Sequence, residues 1–179
     1  MNLTAYFLQN PFAATQGTYS GLINSPVPLH DRVGLFRLVA TRTGGFSGKF
    51  FMGGVTYLLR GRFRGNGTFS AIYSSRNLSI QMKLDLDNGT DQITGSLSDG
   101  TFISTLVANR TEYNLKTNPA PQSGPYTILI PPNRSRPSSP QGNGVALLKV
   151  DASGNARVSG SLADGTPFSQ SAPVSKNSA

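Results

Sequence analysis

Arg60-Gly-Arg62-Phe-Arg64 is the densest run of cations in the chain, with Arg76 downstream and Lys49 in the preceding strand. On an extended strand, alternate residues share a face, so Arg60, Arg62 and Arg64 would project together at ~7 Å intervals, close to the spacing of phosphates along an extended nucleic-acid backbone. That pattern suits an anion: acidic glycan, lipid headgroup, nucleic acid or an acidic protein. The plainer reading is a solvated strand face whose arginines discourage edge-to-edge pairing. Asp85-Leu-Asp87-Asn-Gly89-Thr-Asp91 places carboxylates at alternate positions around a glycine, as a calcium loop does. The twelfth position, where such a loop needs a bidentate Glu, is Ser96, and Asn88-Gly89 is a hairpin turn signal, so Asp85, Asp87 and Asp91 make a weak Ca²⁺ candidate and no metal is expected.

Catalytic sets are harder to assemble. The chain has no cysteine and one histidine, His30, which excludes thiolate nucleophiles, disulfides, Cys-based zinc sites and two-His metal centres. His30 neighbours Asp31, but adjacent residues on an extended chain point apart, and no serine elbow accompanies them. Asp99 and Asp164 sit in equivalent turns, which repetition explains without an acid/base pair. No glycine-rich turn follows the G-x-x-x-x-G-K-[ST] pattern. We therefore expect no enzyme and no cofactor.

The elements that must position these residues read as strands. Leu78-Ser-Ile80-Gln-Met82-Lys-Leu84-Asp-Leu86 alternates apolar and polar residues over nine positions, a half-buried antiparallel strand. Turn pairs recur at Gly44-Gly45, Gly53-Gly54, Asn66-Gly67, Asn88-Gly89, Asp99-Gly100, Ser153-Gly154 and Asp164-Gly165. Segments 46–54, 93–101 and 158–166 superpose without a gap and share glycines five apart, at Gly48/Gly53, Gly95/Gly100 and Gly160/Gly165, which read as structural turns. Larger blocks also match: Gly17-Thr-Tyr19 with Gly124-Pro-Tyr126, and the strand after Gly34 with the strand after Gly144.

These repeats predict one all-β domain over residues 1–179: an antiparallel curved sheet or barrel of about ten short strands built from two homologous halves. An N-terminal segment, 1–16, precedes a first half, 17–123, and a shorter second half, 124–179, with a mobile loop at 131–144. The second half lacks a counterpart of Leu78 to Ala108, which leaves a sheet edge open. A neighbouring domain, another subunit or Leu3 to Phe12 could cover it, or the chain could be a truncated module. The expected core comprises Tyr19, Leu22, Phe36, Leu38, Phe46, Phe50, Leu78, Ile80, Met82, Leu84, Leu86, Ile93, Leu97, Phe102, Leu106, Tyr126, Ile128, Val158, Leu162 and Phe168.

The motifs Asn10-Pro-Phe12, Gly17-Thr-Tyr-Ser-Gly21, Thr90-Asp-Gln-Ile-Thr-Gly-Ser-Leu-Ser-Asp-Gly100, Lys116-Thr-Asn-Pro-Ala-Pro121 and Leu162-Ala-Asp-Gly-Thr166, in this order, resemble a family. It is that of the uncharacterised Gly-rich β modules of large secreted or surface multidomain bacterial proteins. The resemblance implies a two-half, barrel-like module with no known catalytic residues. It implies an extracellular or cell-surface setting, although the chain as given shows no signal peptide and a cysteine-free chain also suits the cytosol. Two functions follow as expectations. One is a non-catalytic structural or adhesion module that meets a neighbouring domain or subunit at its open edge, with oligomers foreseen. The other is a polyanion-binding protein, which the net charge of +8 favours. No apolar run reaches the ~20 residues of a membrane-spanning helix.

Overall fold

The computed structural model describes residues 9–74, 77–132 and 140–176. Among the described residues, alternating patterns punctuated by turn glycines become twelve strands, where about ten were expected, all paired antiparallel. They are β1 (Gly17–Asn24), β2 (Gly34–Ala40), β3 (Gly45–Met52), β4 (Val55–Arg62), β5 (Thr68–Tyr73), β6 (Leu78–Leu84), β7 (Gln92–Ser98), β8 (Ile103–Arg110), β9 (Gly124–Ile130), β10 (Gly144–Val150), β11 (Asn155–Ser161) and β12 (Pro167–Pro173). The chain divides into two compact units, residues 1–111 and 112–179. The Pro-rich stretch 116–124 thus belongs with the second unit.

The first unit is an eight-stranded sheet in the order β4-β3-β2-β1-β8-β7-β6-β5. Read around a circle, every strand lies beside its sequence neighbour, and β1 pairs β8 in register from Tyr19↔Arg110 to Asn24↔Thr105. The sheet is a nearly closed up-and-down barrel with one seam, between β4 and β5, where no ladder forms. Side chains fill the interior, as eight strands allow: Tyr19, Phe36, Phe50, Ile80, Leu84, Ile93 and Leu97 are buried there. Each such side chain contributes ~1.5–3 kcal/mol of gross burial.

Aromatic rings close the seam. Tyr73 of β5 meets Tyr57 of β4 edge to face at 5.4 Å and Phe50 at 5.7 Å, and Phe69 meets Phe46 at 4.8 Å. The Tyr73 hydroxyl donates to the Leu58 carbonyl at 2.7 Å, a side-chain bond where a ladder bond is missing. Burial pushes the Tyr73 phenol pKa up.

The core differs from the expected one at particular places. Leu22 is exposed and Ile23 buried, because Tyr19, Gly21 and Ile23 share the inward face and Leu22 has the opposite parity. Leu86 and Phe102 are partly buried against the core. Tyr57, Leu59 and Phe63, absent from the expected list, are buried through β4 and just beyond it. Phe12 packs with this core, its ring so close to Gly44 that a Cβ there would lie 2.8 Å away. Residues 1–8 lie outside the described residues.

The second unit is a four-stranded meander, β12-β11-β10-β9. One face carries Tyr126, Ile128 and Ile130 beside Ala146, Leu148 and Val150, followed by Ala156, Val158 and Gly160, then Phe168, Gln170 and Ala172. Ala146 and Val150 are buried, whereas Tyr126 and Ile128, expected in the core, remain 44% and 36% exposed, and Leu162 is exposed as well. Half of the expected mobile loop, 131–144, falls on 133–139, outside the described residues, and its last residue, Gly144, opens β10.

The repeating element is this four-stranded meander, and it occurs three times. In each copy the loop between the second and third strands ends on a residue at positive φ, at Gly44 (78°), Asp91 (55°) and Gly154 (75°). The carbonyl of that residue accepts an amide from the end of the fourth strand: Phe63 to Gly44 at 2.9 Å, Arg110 to Asp91 at 2.9 Å, Val174 to Gly154 at 2.7 Å. The first and third copies agree further. The Tyr19 hydroxyl donates to the Thr15 carbonyl at 2.7 Å, and that of Tyr126 to the Gln122 carbonyl at 2.6 Å. Nine positions separate Gly44 from Gly53 and Asp91 from Gly100, but eleven separate Gly154 from Gly165. A two-residue insertion keeps every side chain on its own face, so the repeat survives it.

Candidate functional site

The arginines lie where alternation puts them. Arg60, Arg62 and Arg64 are exposed along and just beyond β4, and Phe63 between them is buried. Cross-strand register widens the patch. Lys49 of β3 stands opposite Leu58, diagonal to Arg60, and Arg37 of β2 stands directly opposite Lys49. Sequence reasoning missed Arg37, because only pairing places it in the patch. Successive rows across the outer face read Ser20, Arg37, Lys49, Leu58 and then Thr18, Val39, Ser47, Arg60. Neither holds an acidic residue. Like charges directly opposite on a sheet oppose pairing, so this arrangement costs the fold stability. Arg62 also ties down the β2–β3 turn by donating to the Thr43 carbonyl at 2.8 Å. Arg76 lies outside the described residues.

Arg64 also borders a shallow groove of about 500 Å³ on the outer face of β5, β6 and β7. Its lining follows from the register: Lys83 sits between Thr68 and Thr94, and Gln81 between Ser70 and Ser96. Two cations flanked by hydroxyl and amide groups can hold an anion bearing several oxygens. Phe51, two residues along β3 from Lys49 on the same outer face, is 44% exposed beside the patch, whereas Phe69 and Tyr73 turn inward to the seam.

Two of the three acidic calcium candidates, Asp85 and Asp91, are already engaged within the fold. The Asp85 carboxylate accepts from the amides of Asp87, Asn88 and Thr90 and from the Thr90 hydroxyl. Those bonds, the Thr90 hydroxyl foremost, hold its pKa well below the usual carboxylate range. Asp91 pairs with Arg110 at 2.7 Å. Among the described residues no group of three or more His, Asp or Glu could hold a metal ion. Asp99 and Asp164 cap equivalent hairpins by accepting the amides of Thr101 at 2.8 Å and Thr166 at 2.9 Å. His30 sits in the β1–β2 loop, where its carbonyl accepts the Gly53 amide. Asp31 lies 3.9 Å from Arg32, whose guanidinium covers the Phe102 ring.

The six repeated glycines divide by role. Gly53, Gly100 and Gly165 occupy turns at positive φ. Gly48, Gly95 and Gly160 lie inside strands, where a Cβ would come within 2.3, 2.2 and 2.4 Å of a neighbouring strand's carbonyl oxygen, at Arg37, Gln81 and Val145. They permit the close approach a strongly bent sheet needs.

A second candidate surface is the open sheet of the second unit. Among the described residues its edges, β9 and β12, carry no further strand, and its apolar face stays half-exposed at Tyr126 and Ile128. No protein-family model matches this chain, and no curated protein matches it either. Among the described residues no helix is long and apolar enough to cross a membrane.

Proposed function

We propose that the protein is a non-catalytic structural or adhesion module, of the kind found in extracellular bacterial proteins, that works by completing its open sheet with a partner. One observation carries this reading: the same four-stranded repeat is sealed in the first unit and open in the second. Tyr19 is wholly buried, and Tyr126, with the same hydrogen bond from its hydroxyl, is 44% exposed. An apolar sheet face flanked by two free edges is a template for strand addition. The test is binding of a neutral, polarity-sensitive dye such as Nile red to the full chain at nanomolar concentration. Fluorescence enhancement that falls in Tyr126→Ser and Ile128→Ser supports the reading, and an absence of enhancement at every concentration overturns it.

The clustering of Arg37, Lys49, Arg60 and Arg64 without acidic neighbours favours a second reading, the capture of an acidic glycan or other polyanion on the barrel's outer face. Salt-dependent retention on immobilised heparin tests it, because counterion release requires a steep slope.

A further inference from the structure

We infer that the open sheet of the second unit is completed by the same sheet of a second copy of this chain, giving a two-fold dimer with an eight-stranded barrel shared between the subunits. The inference rests on the interaction-module reading above and names its partner. The first unit supplies the template. There, two four-stranded repeats, β1–β4 and β5–β8, close on one another: the first strand of one pairs antiparallel with the last strand of the other, and the last strand of the first faces the first strand of the second. That arrangement is the one a two-fold axis generates from two identical repeats, and such an interface is self-complementary.

The third repeat, β9–β12, shares the turn geometry and tyrosine bond of the first, yet among the described residues of its unit no further repeat meets it. Two copies would set β9 of each subunit against β12 of the other, and both junctions would follow the β1–β8 ladder. Carrying the matched positions across, Leu22↔Val107 becomes Leu129 opposite Ser171 of the other copy, and Gly21↔Ala108 becomes Ile128 opposite Ala172. Ile128 brings a Cβ where one added at Gly21 would lie 1.9 Å from the Val107 carbonyl oxygen, so the shared junction bends less sharply there than β1–β8 does. Closure buries Tyr126, Ile128, Leu148, Val158 and Phe168 from both chains in one core.

The test uses the full chain, which contains no cysteine. Light scattering from nanomolar to 100 μM should show a concentration-dependent shift from monomer to dimer, and Ile128→Asp should abolish it. The double variant Leu129→Cys with Ser171→Cys should form a covalent dimer under oxidation, since facing strand positions lie within disulfide reach. Within one sheet the two sites are three strand spacings, about 14 Å, apart sideways and a further four residues, about 13 Å, apart along the strands, and cannot bridge. A monomer at every concentration overturns the inference. So does a dimer that neither cross-links through this pair nor responds to Ile128→Asp. A monomer that still binds Nile red leaves the interaction reading standing with a different partner, whereas loss of dye binding at all concentrations removes both.

Discussion

Replacing Tyr73 tests whether side chains, rather than backbone ladders, hold the barrel's seam. Tyr73→Phe removes one hydrogen bond, to the carbonyl of Leu58, whose own side chain is exposed, so the carbonyl can turn to water. The expected cost is therefore ~1 kcal/mol. Tyr73→Ala also removes the edge-to-face contacts with Tyr57 and Phe50, each worth ~0.5–1.5 kcal/mol, and most of a large side chain's burial. The expected total is ~3 kcal/mol, toward the lower end for a large-to-small change because Tyr73 is only partly buried. Two units need not unfold together, so the assay is native-state hydrogen exchange read on the slowest amides of β1, β6 and β7, which report opening of the barrel alone. Amides of β10 and β11 serve as the internal reference and should not change. Equal costs for the two substitutions, or a Tyr73→Ala effect below ~0.5 kcal/mol, would refute the reasoning that rings close the seam.

Three further outcomes follow from the same geometry. Lys49→Glu with Arg60→Glu should weaken heparin retention and reduce the salt slope by about one for each cation removed from the basic face, with thermal stability unchanged or raised; an unaltered slope counts against that face as the binding surface. Asp85 has its pKa depressed in the folded state, so its contribution is present above the ordinary carboxylate pKa of ~3.9 and disappears as pH falls through the lower folded value. Asp85→Asn should flatten the acid limb of the first unit's stability profile below pH ~4, and an unchanged limb speaks against the loop-capping role. Burial pushes the Tyr19 phenol up to about 12, which keeps it neutral in the fold. Its contribution is intact below pH ~10 and lost between there and about 12, an effect of ~2–3 kcal/mol that Tyr19→Phe should remove from the alkaline unfolding profile.

The all-β class and the run from Leu78 to Leu84 were legible because period-two alternation is a local property. So was the face shared by Arg60, Arg62 and Arg64, which needs only parity. Arg37 joins that face through pairing with Lys49, a long-range register no local pattern reveals. Leu22 misled because a contiguous apolar pair, Leu22-Ile23, hides which member faces inward, and only Tyr19 and Gly21 decide it. The three gap-free hairpins were visible in the sequence, but the four-stranded repeat around them was not. Its signature is a carbonyl at positive φ receiving an amide from the fourth strand, and that residue is Gly twice and Asp once. The Asp85 loop illustrates the opposite error: alternate carboxylates look like ligands until the Asp85 oxygens are seen capping the loop's own amides and Asp91 is seen paired with Arg110.

The most direct test of the central claim, that one repeat is sealed and its twin open, is residue-resolved hydrogen exchange on the full chain at its lowest workable concentration. The account predicts that β9 and β12 exchange far faster than β10 and β11, while β1 and β8, their counterparts in the barrel, are protected alongside the rest of its core. Equal protection of β9 and β12 with β1 and β8 in a dilute monomer would mean that the second sheet is already closed within a single chain, and the claim would fall.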